Sequence, residues 1–418
     1  MGTGWFKSGG RVVTPDVVII GAGPAGSVAA ALLADAGFSV EVLERAHFPR
    51  FSIGESLLPQ AMEWLAEAGL LRDVVEAGFQ HKNGATFRWG EREESFDFRT
   101  KSADGWGTTY QVRRDRFDEL LAKGAMRKGA KVLFGQTVTA MRPDPECPSL
   151  MVRDEEGNER EVKARFVLDA SGFGRVLARL LDLETPTSFP DRMSVFTHVE
   201  DNMPAHVYDR NKILITVNPN DNQIWYWLIP LAEGLCSIGV VGTPDRIKTY
   251  GATREEQLTA LIAESGLMAE LLVNAKRVRD VGEIAGYAAR VSSLTGPGYA
   301  LLGNAGEFLD PVFSSGVTIA LKSASLASQA LIRQLSGETV NWQTDFSEPL
   351  SRGVETFRAY VSGWYDGSLQ KIIFSKPADA RQVKAMITSV LAGYAWDEEN
   401  PFVRDPRKYL KMVEELCG

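Results

Sequence analysis

The run Val17-Val18-Ile19-Ile20-Gly21-Ala22-Gly23-Pro24-Ala25-Gly26-Ser27 constrains this chain more than any other. Four β-branched residues lead into G-x-G-x-x-G and then an alanine-rich stretch, which predicts a strand, a tight turn and a helix. In such a unit Gly21 turns the chain sharply and Gly23 lets backbone approach a pyrophosphate. Gly26 lets helix and strand pack closely while the helix N-terminus faces the anion. A second apolar run, Phe38 to Leu43, ends in an acid, Glu44. A carboxylate there is placed to accept hydrogen bonds from adenosine ribose hydroxyls and repels a 2′-phosphate. The N-terminal unit is therefore expected to bind an unphosphorylated adenosine end, that of FAD or NAD.

Composition narrows the class. The 418 residues suffice for two or three domains, and 44% hydrophobic with 24% charged residues is ordinary for a globular protein. A net charge of −8 argues against nucleic-acid binding. Cys147, Cys236 and Cys417 are an odd number without metal spacing, which fits a reducing cytoplasm and indicates no zinc site. No run approaches the roughly 18 to 20 apolar residues of a membrane span. The stretch Met1 to Thr14 lacks the apolar core of a signal peptide. The four histidines, His47, His81, His198 and His206, suggest no metal centre, and a surface role is expected for each.

Along the chain, His47 to Pro59 reads as a loop and about Gln60 to Glu76 as a helix. In isolation Gly54-Glu55-Ser56 reads as a capping turn. Gly84 to Tyr110 suggests short strands of an inserted sheet. Phe117, Leu120 and Leu121 mark a helix, Lys131 to Phe134 and Gln136 to Ala140 strands, and Ser149 to Val162 a hairpin. Ala164 to Gly172 is a buried strand ending in a polar turn. Strand character recurs from Arg192 to Val241, notably in Trp225-Tyr226-Trp227-Leu228-Ile229-Pro230, whose aromatics suit a flat ligand or an ordinary core strand. Thr253 to Asn274 is helical by spacing. Tyr299 to Gly306 gives another strand and glycine turn, and a long helix runs on to about Leu335. Beyond Asn341 the chain is mostly helical. There Val383, Met386, Ile387, Val390, Leu391 and Tyr394 form an apolar stripe expected to pack on the body, with membrane-surface contact the lesser alternative. The three strand-turn units at Gly21, Asp169 and Gly303 suggest one sheet visited three times.

Gly21-Ala22-Gly23-Pro24-Ala25-Gly26, Asp169-Ala170-Ser171-Gly172 and Leu302-Gly303-Asn304-Ala305 together resemble the FAD-binding set of the aromatic-hydroxylase, glutathione-reductase-like flavoproteins, from about Asp16 to Ala330. Four further stretches resemble the flavin-dependent halogenases, especially those acting on phenols or carrier-tethered pyrroles. They are Phe48 to Pro59, Phe79 to Ala85, the Trp-x-Trp-x-Ile-Pro run at Trp225, and Asp310-Pro311-Val312-Phe313-Ser314-Ser315-Gly316-Val317. The resemblance implies an α/β architecture with a Rossmann-like FAD-binding domain made of 14–82, 111–180 and 295–335. Into it would be inserted a mostly antiparallel β-sheet substrate domain of 83–110 and 181–294, with a C-terminal helical region of 336–418.

It also implies cofactor contacts at Gly21, Gly23, Ala25, Gly26, Glu44, Arg45, Arg50, Ile53, Gly54, Glu55, Ser56, Arg114, Asp169, Ala170, Gly303, Asn304, Gly316 and Val317. Of the two arginines Arg114 is the better matched. Asn304 stands where the superfamily usually has aspartate, so FAD is expected with altered affinity or redox tuning. In this reading reduced FAD and O2 convert chloride or bromide to hypohalous acid, with halide held at Ser315 and Gly316, where a helix N-terminus offers backbone donors. Trp225, Trp227, Pro230, Pro311 and Phe313 would line the passage from flavin to substrate. Lys82 would activate the halogen, its amine made accessible by burial; without the resemblance it reads as solvated surface. The implied substrate is an electron-rich phenol or pyrrole, free or on a carrier protein. Free tryptophan is disfavoured because the chain is shorter than tryptophan halogenases. With a single dinucleotide fingerprint, FADH2 is expected from a separate flavin reductase. The alternatives are an FAD-dependent reductase of isoprenoid or polyene double bonds, an aromatic hydroxylase, and a non-catalytic binding protein that has kept the flavoprotein fold.

Overall fold

Val17–Ile20 form a strand buried on both faces, as a run of β-branched residues does at the centre of a parallel sheet. It pairs with Val40–Leu43 on one side and Phe166–Asp169 on the other, Val17 lying opposite both Val40 and Phe166. Lys131–Leu133 and Tyr299–Leu301 extend the parallel sheet outward, and Thr295–Gly296 closes one edge antiparallel. Segments distant in the chain thus share one sheet, and their carboxyl ends put Gly21, Glu44, Ala170 and Leu302 along one rim. The computed structural model describes residues 14–187, 189–204, 206–375 and 381–417, so the segment 1–13 that opens the chain lies outside them.

The helix Pro24–Asp35 buries Val28, Ala29, Ala30 and Ala31 completely. These small side chains let it lie closely along the long helix Ser315–Leu335. Gly21 takes φ +95°, a conformation that costs glycine little, and a Cβ on Gly26 would lie 1.9 Å from the Gly21 carbonyl oxygen. Gly26→Ala is therefore expected to push helix and turn apart, costing about 2 kcal/mol or more of stability and abolishing cofactor retention. Thermal melting and cofactor titration check this, and wild-type behaviour in both would refute it.

The second sheet has eight strands. Its order is Lys276–Arg277, Met193–Glu200, Leu235–Gly242, Trp225–Pro230, Lys212–Val217, Gly84–Trp89 and Arg92–Asp97, with Gly282–Ala285 also pairing with Met193–Glu200. All pairings are antiparallel except that of Lys212–Val217 with Gly84–Trp89. Side chains alternate across it. Ile213, Ile215, Trp225 and Trp227 join the main core, whereas Leu214, Tyr226 and Leu228 join a separate core under the helix Arg254–Ala263.

Several boundaries differ from the sequence reading. The helix expected from Gln60 to Glu76 is two, Ala61–Glu67 and Leu71–Glu76, parted at Gly69 with φ +66°; that from Thr253 to Asn274 likewise breaks at Gly266, φ +65°. Positive φ at both glycines ends the helix where apolar spacing alone continues. Gly84 to Tyr110 supplies one hairpin to the large sheet, but Thr109–Gln111 pairs instead with Gln80–Lys82. The C-terminal helices Glu348–Asp366, Ser368–Phe374 and Arg381–Leu391 pack on the body, with Ile387, Val390, Leu391 and Tyr394 buried.

Candidate cofactor and active site

A cavity of about 500 Å³ runs from the rim of the parallel sheet to the face of the large sheet. Of the residues anticipated from the sequence, Gly21, Gly23, Ala25, Glu44, Arg45, Arg50, Ile53, Gly54, Glu55, Ser56, Arg114, Ala170, Asn304, Gly316, Val317, Trp225, Trp227 and Pro311 line it. Gly26, Asp169, Gly303, Ser315, Pro230, Phe313 and Lys82 do not.

At one end the helix Pro24–Asp35 begins with no side-chain cap and no acid in its first turn, so its leading N–H groups are left for an anion. Glu44 stiffens this turn. Its carboxylate accepts from Ala22 N at 2.9 Å and Ala46 N at 3.0 Å, and sits 3.5 Å from Arg50. Arg50 overhangs Gly23, its Nη2 lying 3.7 Å from where a Cβ would be. Arg114 gives Nε and Nη2 to Asp118 at 2.7 and 2.9 Å and Nη1 to the Ile53 carbonyl at 2.7 Å. Arg50 also bonds Asp118, at 3.1 Å. Arg114 is thus largely committed within the protein, and Arg50 is the freer guanidinium. The Asp169 carboxylate is spent on Ser171 N and Leu177 N, and Gly303 is pressed against Ala320. Both shape the rim from behind.

At the other end Trp225 and Trp227 lie side by side with ring centres 6.1 Å apart. Trp225 Nε1 donates to the Tyr365 hydroxyl at 3.0 Å, which donates to Asp310 at 2.8 Å; burial pushes the Asp310 carboxyl up to about 6. Ser314, φ +57°, precedes the helix Ser315–Leu335, which also lacks a side-chain cap. Gly316 and Val317 of its first turn reach the cavity while the Ser315 side chain is buried. Pro230 closes its strand away from the cavity, and Phe313 packs edge-on to Tyr360 and Trp364.

Lys82 is fully buried, not a surface side chain. It ends the strand Gln80–Lys82, held by pairing with Thr109. Its Nζ donates to Ser56 Oγ at 2.7 Å and to the Leu57 carbonyl at 2.8 Å, and lies 5.2 Å from the Phe98 ring centre. Burial without a carboxylate partner pushes the amine down to about 7. It faces a second, much smaller space of about 10 Å³, bounded by Phe87, Phe98, Phe313 and Leu391. Ile213 and Ser314 belong to the walls of both spaces, so the space beside Lys82 adjoins the large cavity.

Two expectations are corrected. Glu55 and Ser56 cap no helix: the helix Ala61–Glu67 starts at Gln60 without a side-chain cap, and Ser56 serves Lys82. His198 is not a surface residue, since its Nε2 stands 2.9 Å from the buried carboxylate of Glu55. His47, His81 and His206 are exposed. Sequence reasoning missed Asp118, Phe98 and Ile213. The Arg114-x-x-x-Asp118 spacing was a usable signal for the first; nothing local marks the other two. Among the described residues no cluster has the makings of a metal site, and no helix is long and apolar enough to cross a membrane.

The cavity fits FAD. Uncapped helix N-termini face both ends, the turn at Gly21 has no room for a Cβ, and an apolar wall of indoles offers a surface for a flat ring. Comparison with known proteins agrees. Residues 14–347 match the family model described as FAD binding domain. A tryptophan 2-halogenase of Chondromyces crocatus is 32% identical over 336 residues, which cover 77% of this chain and 62% of that protein. The carrier-protein-bound 1H-pyrrole-2-carbonyl chlorinase of Pseudomonas fluorescens is 29% identical over 378 residues, 84% of this chain and 83% of that one. A solved flavoprotein/dehydrogenase from Cytophaga hutchinsonii superposes with a TM-score of 0.93 at 43% identity, covering 97% of this chain and 98% of that one.

Proposed function

This chain belongs to the FAD-binding-domain family of flavoproteins, and from that membership and the site we propose that it is an FADH2-dependent halogenase of electron-rich aromatic compounds. The observation that carries the reading is Lys82, a buried amine with no acidic partner, whose small space shares Ile213 and Ser314 with the walls of the cofactor cavity. Halogenase relatives support it over isoprenoid reduction, ring hydroxylation or a non-catalytic role. The parallel sheet with its flanking helices is the cofactor unit in this proposal, the large sheet the substrate unit, and the C-terminal helices a third region.

FAD is the cofactor. When bound and reduced it supplies the electrons with which O2 and a halide give hypohalous acid. The chain's own residues do the rest. The N-terminus of Pro24–Asp35 and Arg50 hold the pyrophosphate, and Arg114, fixed by Asp118, braces the Ile53-Gly54 turn. The first turn of Ser315–Leu335 holds chloride or bromide through backbone N–H groups, at Gly316 where that turn reaches the cavity, with Ser315 behind it. Trp225 and Trp227 keep the aromatic substrate apart from oxygen chemistry. Lys82 receives the hypohalous acid and presents the halogen to the ring, so that a C–H bond and HOX become a C–X bond and water.

The substrate is a phenol or pyrrole, and the carrier-bound substrate of the Pseudomonas relative favours testing both free and tethered forms. Reducing equivalents come from a separate flavin reductase, a reading supported by the single dinucleotide fingerprint. A cytoplasmic setting accords with three unpaired cysteines. The test is mass spectrometry of a mixture of the protein, FAD, a flavin reductase, NADH, O2 and bromide with phenols and carrier-bound pyrroles. Brominated product is expected. Flavin oxidation without it, on protein shown to bind FAD, would overturn the proposal.

A further inference from the structure

Ser56 occupies a position that neither its backbone role nor cofactor contact explains. The strand Thr109–Gln111 pairs with Gln80–Lys82 and is bridged through Gln111 to Ser56, which brings Lys82 and Ser56 to the same small region. Lys82 Nζ lies 2.7 Å from Ser56 Oγ. Ser56 lines the large cavity and Lys82 the small one. Among the described residues Lys82 is the only hydrogen-bond partner of the Ser56 hydroxyl, so the hydroxyl accepts from the amine and keeps its own proton to donate elsewhere.

Charged groups on the surrounding elements face partners other than Lys82. Glu55 faces His198, Asp310 is bonded by Tyr365, and Arg99 pairs with Asp97. Arg88 pairs with Glu93, Lys212 with Asp209, and Lys384 of the C-terminal helix with Glu94. No carboxylate, guanidinium or imidazole among the described residues borders the small space beside Lys82. Burial thus lowers the Lys82 amine, and the groups that touch it are two neutral acceptors, Ser56 Oγ and the Leu57 carbonyl.

We infer that Ser56 is the positioning residue for Lys82, fixing its amine between the two spaces and relaying its proton to water in the large cavity. In the relay the Lys82 ammonium passes a proton to Ser56 Oγ as the Ser56 hydroxyl gives its own to a water molecule. Serine ends unchanged, the amine is neutral and the water is hydronium. The inference rests on the proposed role of Lys82, but its main readout does not require halogenation.

The experiment is 13Cε-lysine NMR of the FAD-saturated enzyme across pH, with the Lys82 signal identified by its loss in Lys82→Met. Ser56→Ala removes an acceptor that favours the ammonium, so the Lys82 midpoint is expected to fall by about one pH unit, tenfold in the proton equilibrium. Ser56→Thr, which keeps the hydroxyl, is expected to restore it, and Ser56→Cys, a weaker acceptor, to fall between. The pH profile of product formation should move with the NMR midpoint. An unchanged midpoint in Ser56→Ala, or a Ser56→Thr midpoint as low as that of alanine, would overturn the inference. Absence of halogenated product from the wild type would instead count against the proposed activity and leave the NMR comparison standing.

Discussion

Lys82→Met is expected to lose halogenated product by about a thousandfold, the scale set by removing a proton-donating or halogen-carrying group from the reacting centre, while making the protein more stable at neutral pH. The two effects share one cause. Lys82 is wholly buried with no carboxylate beside it, and its amine is pushed from 10.5 down to about 7. Below about pH 7 it is charged in both folded and unfolded states, and the folded state bears the full cost of burying the charge, on the order of 5 kcal/mol. Between about 7 and 10.5 the unfolded chain binds a proton that the folded one does not, so stability rises with pH. Above 10.5 the amine is neutral in both states and the cost is gone. Methionine fills a similar volume without the charge. Melting temperatures of the variant should exceed wild type at pH 7 and show less of the rise through pH 7 to 10. FAD affinity should be unchanged, since Lys82 lies outside the cofactor cavity. A variant that melts lower at pH 7 and keeps the wild-type pH dependence would mean that Lys82 imposes no such cost, and retained product would remove it from the chemistry.

This trade explains why Lys82 is hard to read in a sequence. Gln80-His81-Lys82-Asn83 is polar and looks solvated, and its burial comes from partners remote in the chain: Phe98, Ile213, Phe313 and Leu391. No local pattern encodes such a closure. The parallel sheet, by contrast, was legible because its information is local. Short apolar runs followed by glycine-containing turns specify strand and rim together, and Val17–Ile20, Phe166–Asp169 and Tyr299–Leu301 each carry that signature, the first as an unbroken β-branched run. Trp225 and Trp227 follow from the two-residue period of a strand, which puts both indoles on one face whatever they pack against. Helix ends were less legible, because positive φ at Gly69 and Gly266 stops helices that apolar spacing would continue. The pairing of Glu55 with His198, 143 positions apart, was invisible for the same reason as the enclosure of Lys82. Asp118 lies between these cases: its spacing from Arg114 is a local sign, but its hold on Arg50 is not.

Asp118→Ala is expected to lower FAD affinity about a hundredfold and stability by about 3 kcal/mol. Asp118 is fully buried at the foot of two arginines, taking two hydrogen bonds from Arg114 and one from Arg50. Removing it has opposed consequences. It frees positive charge that would otherwise be neutralised, which favours an anion in the cavity. It also leaves Arg114, only 8% exposed, as a buried charge without its acid. The second effect dominates. Arg50 is itself partly exposed and its extra charge is screened, whereas an unpaired buried guanidinium must move toward water. Movement of Arg114 releases the Ile53 carbonyl and the Gly54 turn, the wall of the cavity that continues into Glu55 and Ser56. Asp118→Asn keeps one acceptor and should fall between, losing about tenfold in affinity. Flavin fluorescence titration gives the affinities, and melting with and without saturating FAD separates lost binding from lost stability. If Asp118→Ala melts lower yet binds FAD within twofold of wild type, the arginines stabilise the fold without holding the cofactor. The pyrophosphate would then depend on the helix N-terminus at Ala25 alone.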